Sequence, residues 1–267
     1  MNSQLNGPIA WLLALIAAAM MIFILAPLVV TVVISIGTSA FAAFPPRGFT
    51  LAWYGKVLAD PEFQTSLIFS TVLALGATAG ALLLGVPAAF ALARHEFPGR
   101  GGAAAALLSP LIFPVLIIGV ALLQMFAMLN SNNTPLNMLI AHVLVTMPYV
   151  VRTVTASLLR ADTALEDAAR TLGAGRWRVF RRITMPQIAP GVAAGALFAF
   201  MVSFDNFPIS LWLADAQHNP IPILIFQRVA SVFDPSIAAI STLMILFAML
   251  IVVALERVIG LRRAVAI

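Results

Sequence analysis

The sequence predicts an all-α, polytopic membrane protein with six transmembrane helices. Hydrophobic residues make up 62% of the 267 residues and charged residues only 9%, whereas a soluble domain carries roughly a quarter charged residues. A membrane-spanning helix needs roughly 20 mainly apolar residues, and six stretches of this chain meet that requirement. Because so few charges are available to cover a globule, lipid must be the solvent for most of the chain.

The six predicted spans make up one transmembrane domain over residues 1–267. They lie near 9–36, 64–93, 104–129, 136–159, 186–213 and 236–257. The first ten residues contain no Lys or Arg, and the apolar run after them is too long for the core of a secretory signal, so the first stretch is interpreted as a retained span. An even number of spans places both termini on the same side of the membrane.

The distribution of basic residues predicts that this side is the cytoplasm. Twelve arginines lie around the ends of spans two and four and in the C-terminal tail, against three basic residues in the opposite loops. An excess of Lys and Arg marks cytoplasmic segments. The twelve are Arg94, Arg100, Arg152, Arg160, Arg170, Arg176, Arg178, Arg181, Arg182, Arg257, Arg262 and Arg263, and the three are Arg47, Lys56 and Arg228.

Small residues form stripes that allow close helix contacts. Those in span five are four residues apart, at Gly191, Gly195, Ala199 and Ser203, and span two has Gly76 and Gly80. Contacts within one subunit and contacts between subunits both fit this pattern.

In the outward segment 44–63, Leu51, Tyr54, Val57 and Leu58 share one helical face, which predicts a short helix in the membrane interface.

The most patterned segment is the loop 160–185 between spans four and five. Thr163 and Glu166 have the spacing of a capping box at a helix start. An apolar stripe follows at helical spacing, formed by Leu165, Ala168, Ala169 and Leu172. Gly173 and Gly175 are suited to end that helix, and a second short helix over 176–183 leads to Pro186, where span five is predicted to begin.

The loop is therefore predicted to be a helix–turn–helix at the membrane surface. Ala168 and Ala169 make its apolar face small enough to enter a groove on another protein, which is a common mode of helix recognition. The same face fits equally well a surface helix that packs only on its own bundle.

This loop resembles the EAA loop of permeases in binding-protein-dependent ABC importers, whose pattern is E-A-A-x3-G-x9-I-x-L-P. The matching residues are Asp167-Ala168-Ala169, Gly173, Ile183 and Met185-Pro186. Asp167 stands where Glu is usual, and Met185 stands where Leu is usual. The resemblance implies the type I (MetI-like) permease bundle in a bacterial inner membrane. It also implies that Glu166, Asp167, Ala168, Ala169 and Gly173 couple the chain to an ABC ATPase dimer.

The same resemblance implies the other parts of the system. These are a second permease subunit, a periplasmic solute-binding protein, and ATP with Mg bound by the ATPase, with no cofactor on this chain. Three segments resemble the second permease subunit of spermidine/putrescine-type systems, namely GFTLAWYGKVLADPEFQTSL, LIFPVLIIGVALLQMF and VSFDNFPISLWLA. They predict a polyamine as the solute, while opine, phosphonate and ferric iron importers remain alternatives.

Asp205 in span five is the candidate pathway residue, together with Ser203 and Asn206. A carboxylate near lipid is costly unless it is paired or faces water. Asp205 could line the translocation path and attract a cationic solute, or it could cap a helix or bond to a neighbouring span.

No catalytic or metal site is predicted from the sequence. The only lysine, Lys56, does not lie in a P-loop pattern, so ATP hydrolysis is expected on a separate chain. His95, His142 and His218 lack metal-ligand spacing, and His142 is interpreted as a packed residue of span four. The basic residues are interpreted as setting the orientation in the membrane rather than as binding nucleic acid. Those that flank the loop helix, Arg170, Arg176 and Arg178, are assigned to lipid phosphates or to acidic groups of the ATPase. A stand-alone secondary transporter is the rival class, and it would need paired carboxylates within its spans.

Overall fold

A computed structural model describes residues 8–39, 44–231 and 235–259. In chain order the helices of that part are α1 (Pro8–Ser35), α2 (Ala52–Leu58), α3 (Pro61–Arg94), α4 (Arg100–Leu108), α5 (Val115–Met128), α6 (Thr134–Arg160), α7 (Thr163–Thr171), α8 (Arg176–Val179), α9 (Met185–Phe204), α10 (Phe207–Leu213), α11 (Ile221–Ser231) and α12 (Pro235–Ile259). The all-α prediction is confirmed. Arg262, Arg263 and part of the outward loop before α12 lie outside the described residues.

Five stretches of the described chain are long and apolar enough to cross a membrane, and a bent pair of helices supplies the sixth span. The long ones are α1, α3, α6, the stretch Arg176–Phe204 and α12. The molecule divides into two compact units, one built from residues up to 61 with 225–247 and the other from 62–224 with 248 onward.

The third span, predicted near 104–129, is sharply bent. Its two parts, α4 with a 3₁₀ turn (Ser109–Leu111) and α5, meet at an angle of 102°. Pro114 precedes α5 with a ψ of 124°. Proline lacks an N–H group and restricts the residue before it, so the helical ladder stops here and starts again at Val115.

The fifth span also differs from the prediction, at both of its ends. The helix begins earlier than Pro186, because α8 continues through a π turn (Phe180–Thr184) into α9 without a break. It ends at Phe204, and α10 then begins at Phe207, so the predicted helix over 186–213 is interrupted. The π turn lies directly before Pro186, whose missing N–H would leave a gap in a regular helical ladder.

The helix α6 forms the centre of the larger unit because two other helices approach it through small residues. A Cβ atom added to Gly195 on α9 would lie 3.0 Å from the Val150 Cα atom and 2.6 Å from the Thr153 hydroxyl oxygen. On α3, a Cβ atom added to Gly80 would lie 2.6 Å from a Val143 methyl group. The stripes on spans two and five therefore mediate contacts within the subunit.

Two buried clusters follow from this packing. One joins α3, α5, α6 and α10 through Leu73, Leu122, Phe126, Met138, Ala141, Val145, Ile209 and Leu213. The other joins α3, α6 and α9 through Ala81, Ala89, Val150, Val154, Leu158, Ile188 and Ala199. The second cluster is rich in small and β-branched residues, in keeping with the close approach of helices in membranes.

The smaller unit contains the predicted short helix of the outward segment, observed as α2. Trp53 Nε1 donates to the Gly37 carbonyl oxygen at 2.8 Å, and the Tyr54 hydroxyl group hydrogen-bonds to Ser35. Asp60 forms an ion pair with Arg228 of α11. These contacts connect α2 to the end of α1 and to the second half of α11.

The outward segment before span six, predicted to be a loop, instead contains α11. This helix has 11 residues, which is too short for a span and escapes a search for long apolar runs. Its first backbone N–H group, at Ile221, donates to Ser70 Oγ at 2.8 Å in a buried position.

Replacing Gly195 with Ala should lower the stability of the protein. The added methyl group meets backbone as well as side-chain atoms of α6, and overpacking of this kind costs about 1–3 kcal/mol. Gly102→Ala is the matched control, because no described atom lies within 4 Å of its Cβ position in α4; a gain of up to about 1 kcal/mol is expected there. Thermal unfolding of the detergent-solubilised variants measures both, and equal shifts would contradict the close contact between α6 and α9.

Candidate functional site

The loop helix α7 is attached to the bundle by the carboxylate of Glu166. This side chain is buried, with a relative exposure of 4%. Its oxygen atoms accept hydrogen bonds from Arg94 Nη2 at 3.2 Å, Arg170 Nη2 at 3.2 Å and Thr184 Oγ1 at 3.0 Å. Arg94 ends α3 and Thr184 ends the π turn before α9. One carboxylate therefore fixes the loop to the ends of two spans.

The predicted capping box at the start of α7 is wrong. The N-cap is Asp162, whose side chain accepts a hydrogen bond from the Ala164 N–H group at 2.9 Å. Glu166 is committed to the two arginines and is not the partner of Thr163. Asp is at least as good an N-cap as Thr, and Asp162 lies one residue before the predicted start.

The outer face of α7 is apolar although its buried side is charged. Ala168 lies about 200° around the helix from Glu166 and is exposed. Leu165 and Leu172 lie near Ala168 on the helix surface and are 53% and 88% exposed, while Ala169 is half-buried. The apolar stripe therefore does not pack on the described part of the bundle, and it is available to a partner.

The turn after α7 is a Schellman motif closed by Gly173. The N–H groups of Gly173 and Ala174 donate to the carbonyl oxygens of Arg170 and Ala169 at 2.9 and 3.0 Å, which is the defining hydrogen-bond pair of this motif. Gly173 has a φ of 79°, a region where only glycine is free of strain. Its predicted role as a helix stop is confirmed, whereas Gly175 is instead the N-cap residue of α8.

Asp167 lies on the exposed side of α7. Its carboxylate pairs with Arg170 Nη1 at 2.7 Å, so Arg170 bridges Asp167 and Glu166. Exposed pairs of this kind contribute less than about 1 kcal/mol. The two adjacent acidic residues therefore differ in role, since Glu166 holds the loop in place and Asp167 faces outward.

The three candidate pathway residues lie at the break between α9 and α10, in different surroundings. Ser203 is buried, and its hydroxyl group lies 2.8 Å from His142 Nδ1 on α6. The side chain of Asn206 is also buried, where it accepts from the Ile209 N–H group as the N-cap of α10. His142 is thus a packed, hydrogen-bonded residue of span four, as predicted.

Asp205 is the exposed member of this group. Its carboxylate forms no hydrogen bond or ion pair with any residue that the structure describes. It lines an open cavity of about 400 Å³ together with Val115, Met201, Val202, Asn206 and Pro208. A carboxylate within the predicted span therefore faces an open, largely apolar cavity.

Comparison with known proteins places this arrangement in a transport family. Residues 81–264 match the family model described as the inner membrane component of binding-protein-dependent transport systems. The chain belongs to that family.

Curated relatives and solved structures agree with this assignment. The putrescine permease PotI of Escherichia coli K12 is 31% identical over 84% of this chain and 82% of its own, and the spermidine/putrescine permease PotC of the same strain is 27% identical over 85% and 86%. A bacterial ABC transporter structure for alginate import superposes with a TM-score of 0.73 at 17% identity, covering 96% of this chain and 98% of that one. The structure of the methionine ABC transporter MetNI superposes with a TM-score of 0.63 at 14% identity, covering 75% of this chain and 98% of that one.

The protein is therefore a multi-pass permease component of an ABC importer, and the predicted type I fold is confirmed. The family is a transport component and not an enzyme.

Glu166→Ala should loosen the loop far more than Asp167→Ala does. Removing the buried carboxylate leaves Arg94 without its partner, and hydrogen bonds to charged groups contribute about 1.5–3 kcal/mol each. We expect a loss of about 2–3 kcal/mol in stability and faster tryptic cleavage between α7 and α9. Asp167→Ala should change stability by less than about 1 kcal/mol. Similar cleavage rates in the two variants would show that Glu166 does not hold the loop.

Proposed function

We propose that this chain, over its whole length, is a single transmembrane permease domain of a polyamine importer, and that loop 160–185 couples it to a separate ATPase dimer. The observation that carries the coupling role is the orientation of α7. The carboxylate of Glu166 faces the bundle, whereas the apolar residues Leu165, Ala168 and Leu172 face away from it.

The exposed face of α7 has the properties of a docking helix. Covering exposed apolar side chains with a partner lowers the free energy of the system. Placing an amphipathic helix in a groove of the partner is a recurrent way to achieve this. Ala168 and Ala169 allow close approach, and Gly173 closes the turn without a side chain at the surface. Asp167 adds a charge at the rim of this face. Ala168, Ala169, Asp167 and Gly173 are thus the contact residues, and Glu166 transmits displacement of α7 to α3 and α9.

The ATPase dimer supplies the chemistry that this chain does not carry. The sequence has no P-loop pattern around its single lysine, so ATP and Mg belong to the partner. The arginine distribution supports a cytoplasmic loop and cytoplasmic termini. A second permease subunit and a periplasmic solute-binding protein complete the importer, and alternating access moves the solute between them.

A polyamine solute is supported by the relatives and by Asp205. PotI and PotC are named for putrescine and spermidine, which carry two or three positive charges at neutral pH. An unpaired carboxylate at the cavity between α9 and α10 attracts such cations. Ser203 and Asn206 shape the helix break that presents it.

Other solutes are alternatives that their charge and uptake assays can distinguish from polyamines. The molybdate/tungstate permease WtpB of Thermococcus kodakarensis is 35% identical over 54% of this chain and 58% of its own. An unpaired carboxylate disfavours such oxyanions, and the same argument applies to phosphonates. Opines and ferric iron would need their own uptake assays. A stand-alone secondary transporter is a poor fit, because the described spans offer Asp205 no paired carboxylate.

Gly173→Trp should abolish solute uptake while membrane insertion stays normal. The indole would project from the docking face and prevent close approach of the ATPase. Gly99→Trp is a matched control: Gly99 also has a positive φ, 83°, and no described atom lies within 4 Å of its Cβ position. Both variants bear a similar backbone strain of about 1–2 kcal/mol.

The readouts are solute uptake by cells and recovery of the ATPase with the affinity-tagged permease. We expect Gly173→Trp to lose both and Gly99→Trp to keep both. Uptake that survives Gly173→Trp at normal expression would disprove the coupling role of the loop.

Cells without this chain, but with the neighbouring transporter genes intact, should lose uptake of labelled putrescine and spermidine. In cells that carry Asp205→Asn, we expect KM for polyamine to rise about fivefold, since one unit-charge interaction in water at 4 Å is about 1 kcal/mol. Asp205→Glu keeps the charge and should restore most of the affinity.

Unchanged polyamine uptake without the chain would exclude polyamines and leave the importer assignment intact. Opines, phosphonates and ferric iron would then be assayed in the same cells. Equal KM values for wild type and Asp205→Asn would instead remove Asp205 from the pathway.

A further inference from the structure

Two adjoining cavities lie under the loop, on the side of α7 that faces the bundle. The larger, about 860 Å³, is lined by Arg170, Arg176 and Trp177 as well as Glu166. The smaller, about 330 Å³, is lined by Val86, Pro87 and Ala91 of α3. Both are also lined by Phe90, His95 and Phe180, so they form one groove that is basic at one end and apolar at the other. We call it the loop groove.

We propose that the loop groove binds an acidic phospholipid, with the headgroup phosphate at Arg176 and an acyl chain along the apolar end. This site is separate from the ATPase docking face, because Leu165, Ala168 and Leu172 line neither cavity.

The charges at the wide end favour an anion. Glu166 is the acidic lining residue, and its two oxygen atoms already accept from Arg94, Arg170 and Thr184. Arg176 is exposed, and its side chain forms no hydrogen bond or ion pair with the residues described here. Its guanidinium group is therefore available to a phosphate, for which arginine has a matching geometry.

The depth of the narrow end matches an acyl chain. Val86 lies eight residues before Arg94 on α3, which is about 12 Å along the helix axis. With Arg94 at the headgroup level, the Val86 end of the groove reaches the hydrocarbon region, because the interfacial layer is only about 5–8 Å thick on each side. A soluble phosphate compound would leave this apolar arm unfilled.

Aromatic side chains line the passage between the two ends. Phe180 contacts Phe90 edge to face at 5.9 Å and stacks with Trp177 at 5.6 Å. Tryptophan is enriched at the headgroup level of membranes. The row Phe90–Phe180–Trp177 thus runs from α3 to the start of α8, along the path that a lipid would follow.

Native mass spectrometry of the full-length chain in detergent, titrated with phosphatidylglycerol or phosphatidylcholine, tests the proposal. We expect one retained phosphatidylglycerol and weaker retention of phosphatidylcholine. Arg176→Gln should weaken phosphatidylglycerol binding about fivefold, the typical contribution of one basic residue near a membrane surface. The matched control is Arg182→Gln, since Arg182 is also exposed in the same loop but lines neither cavity.

Ala91→Trp tests the apolar arm, because the indole would fill the narrow end. It should reduce retention of phosphatidylglycerol, and glycerol phosphate should compete with the lipid only at far higher concentration. Arg176→Gln changes only an exposed side chain, so this variant is expected to fold as the wild type does. Equal weakening by Arg176→Gln and Arg182→Gln, unchanged binding in both Arg176→Gln and Ala91→Trp, or effective competition by glycerol phosphate would each overturn the proposal.

Discussion

The buried carboxylate of Glu166 determines how the loop is built. A charge removed from water is tolerated only when it is paired and hydrogen-bonded, and here two arginines and a threonine supply those bonds. This pairing turns the polar side of α7 toward the bundle and leaves its apolar side exposed, the reverse of an ordinary surface helix. The exposed apolar face, proposed to dock the ATPase, and the loop groove lie on two sides of one helix, whose orientation Glu166 fixes.

The break between α9 and α10 shows how an irregular backbone is accommodated in an apolar setting. Backbone groups freed by a broken helix need internal partners, and Asn206 supplies one by capping α10. Across from it, a Cβ atom on Gly119 of α5 would lie 3.2 Å from the Pro208 carbonyl oxygen and 2.8 Å from the Trp212 ring. The restart of span three thus packs against the break in span five, and Asp205 is presented at their junction.

Hydropathy and turn chemistry predicted the six spans, α2, α7 and the Gly173 stop, because each depends on residues close together in the chain. A window of mean hydropathy does not register where a helical ladder is interrupted, so it indicates neither the size of the bend in span three nor the break in span five. The capping role predicted for Glu166 was wrong, and its partner Arg94, 72 residues away, could not be found from local spacing. The hydrogen bond between Ser203 and His142 likewise joins residues that are 61 positions apart in the chain. Local spacing holds no information on such pairs.

The continuity of α8, the π turn and α9 has a mechanical consequence. The stretch Arg176–Phe204 has 29 residues, which makes a helix about 43 Å long. One tip, α8, lies in the second half of the loop, and Asp205 lies just beyond the other tip. A rod of that length converts a tilt of about 5° at one tip into a sweep of about 4 Å at the other. A flexible joint at Pro186 would absorb such a tilt, whereas a helix without a break would pass it from the membrane surface to the cavity at Asp205.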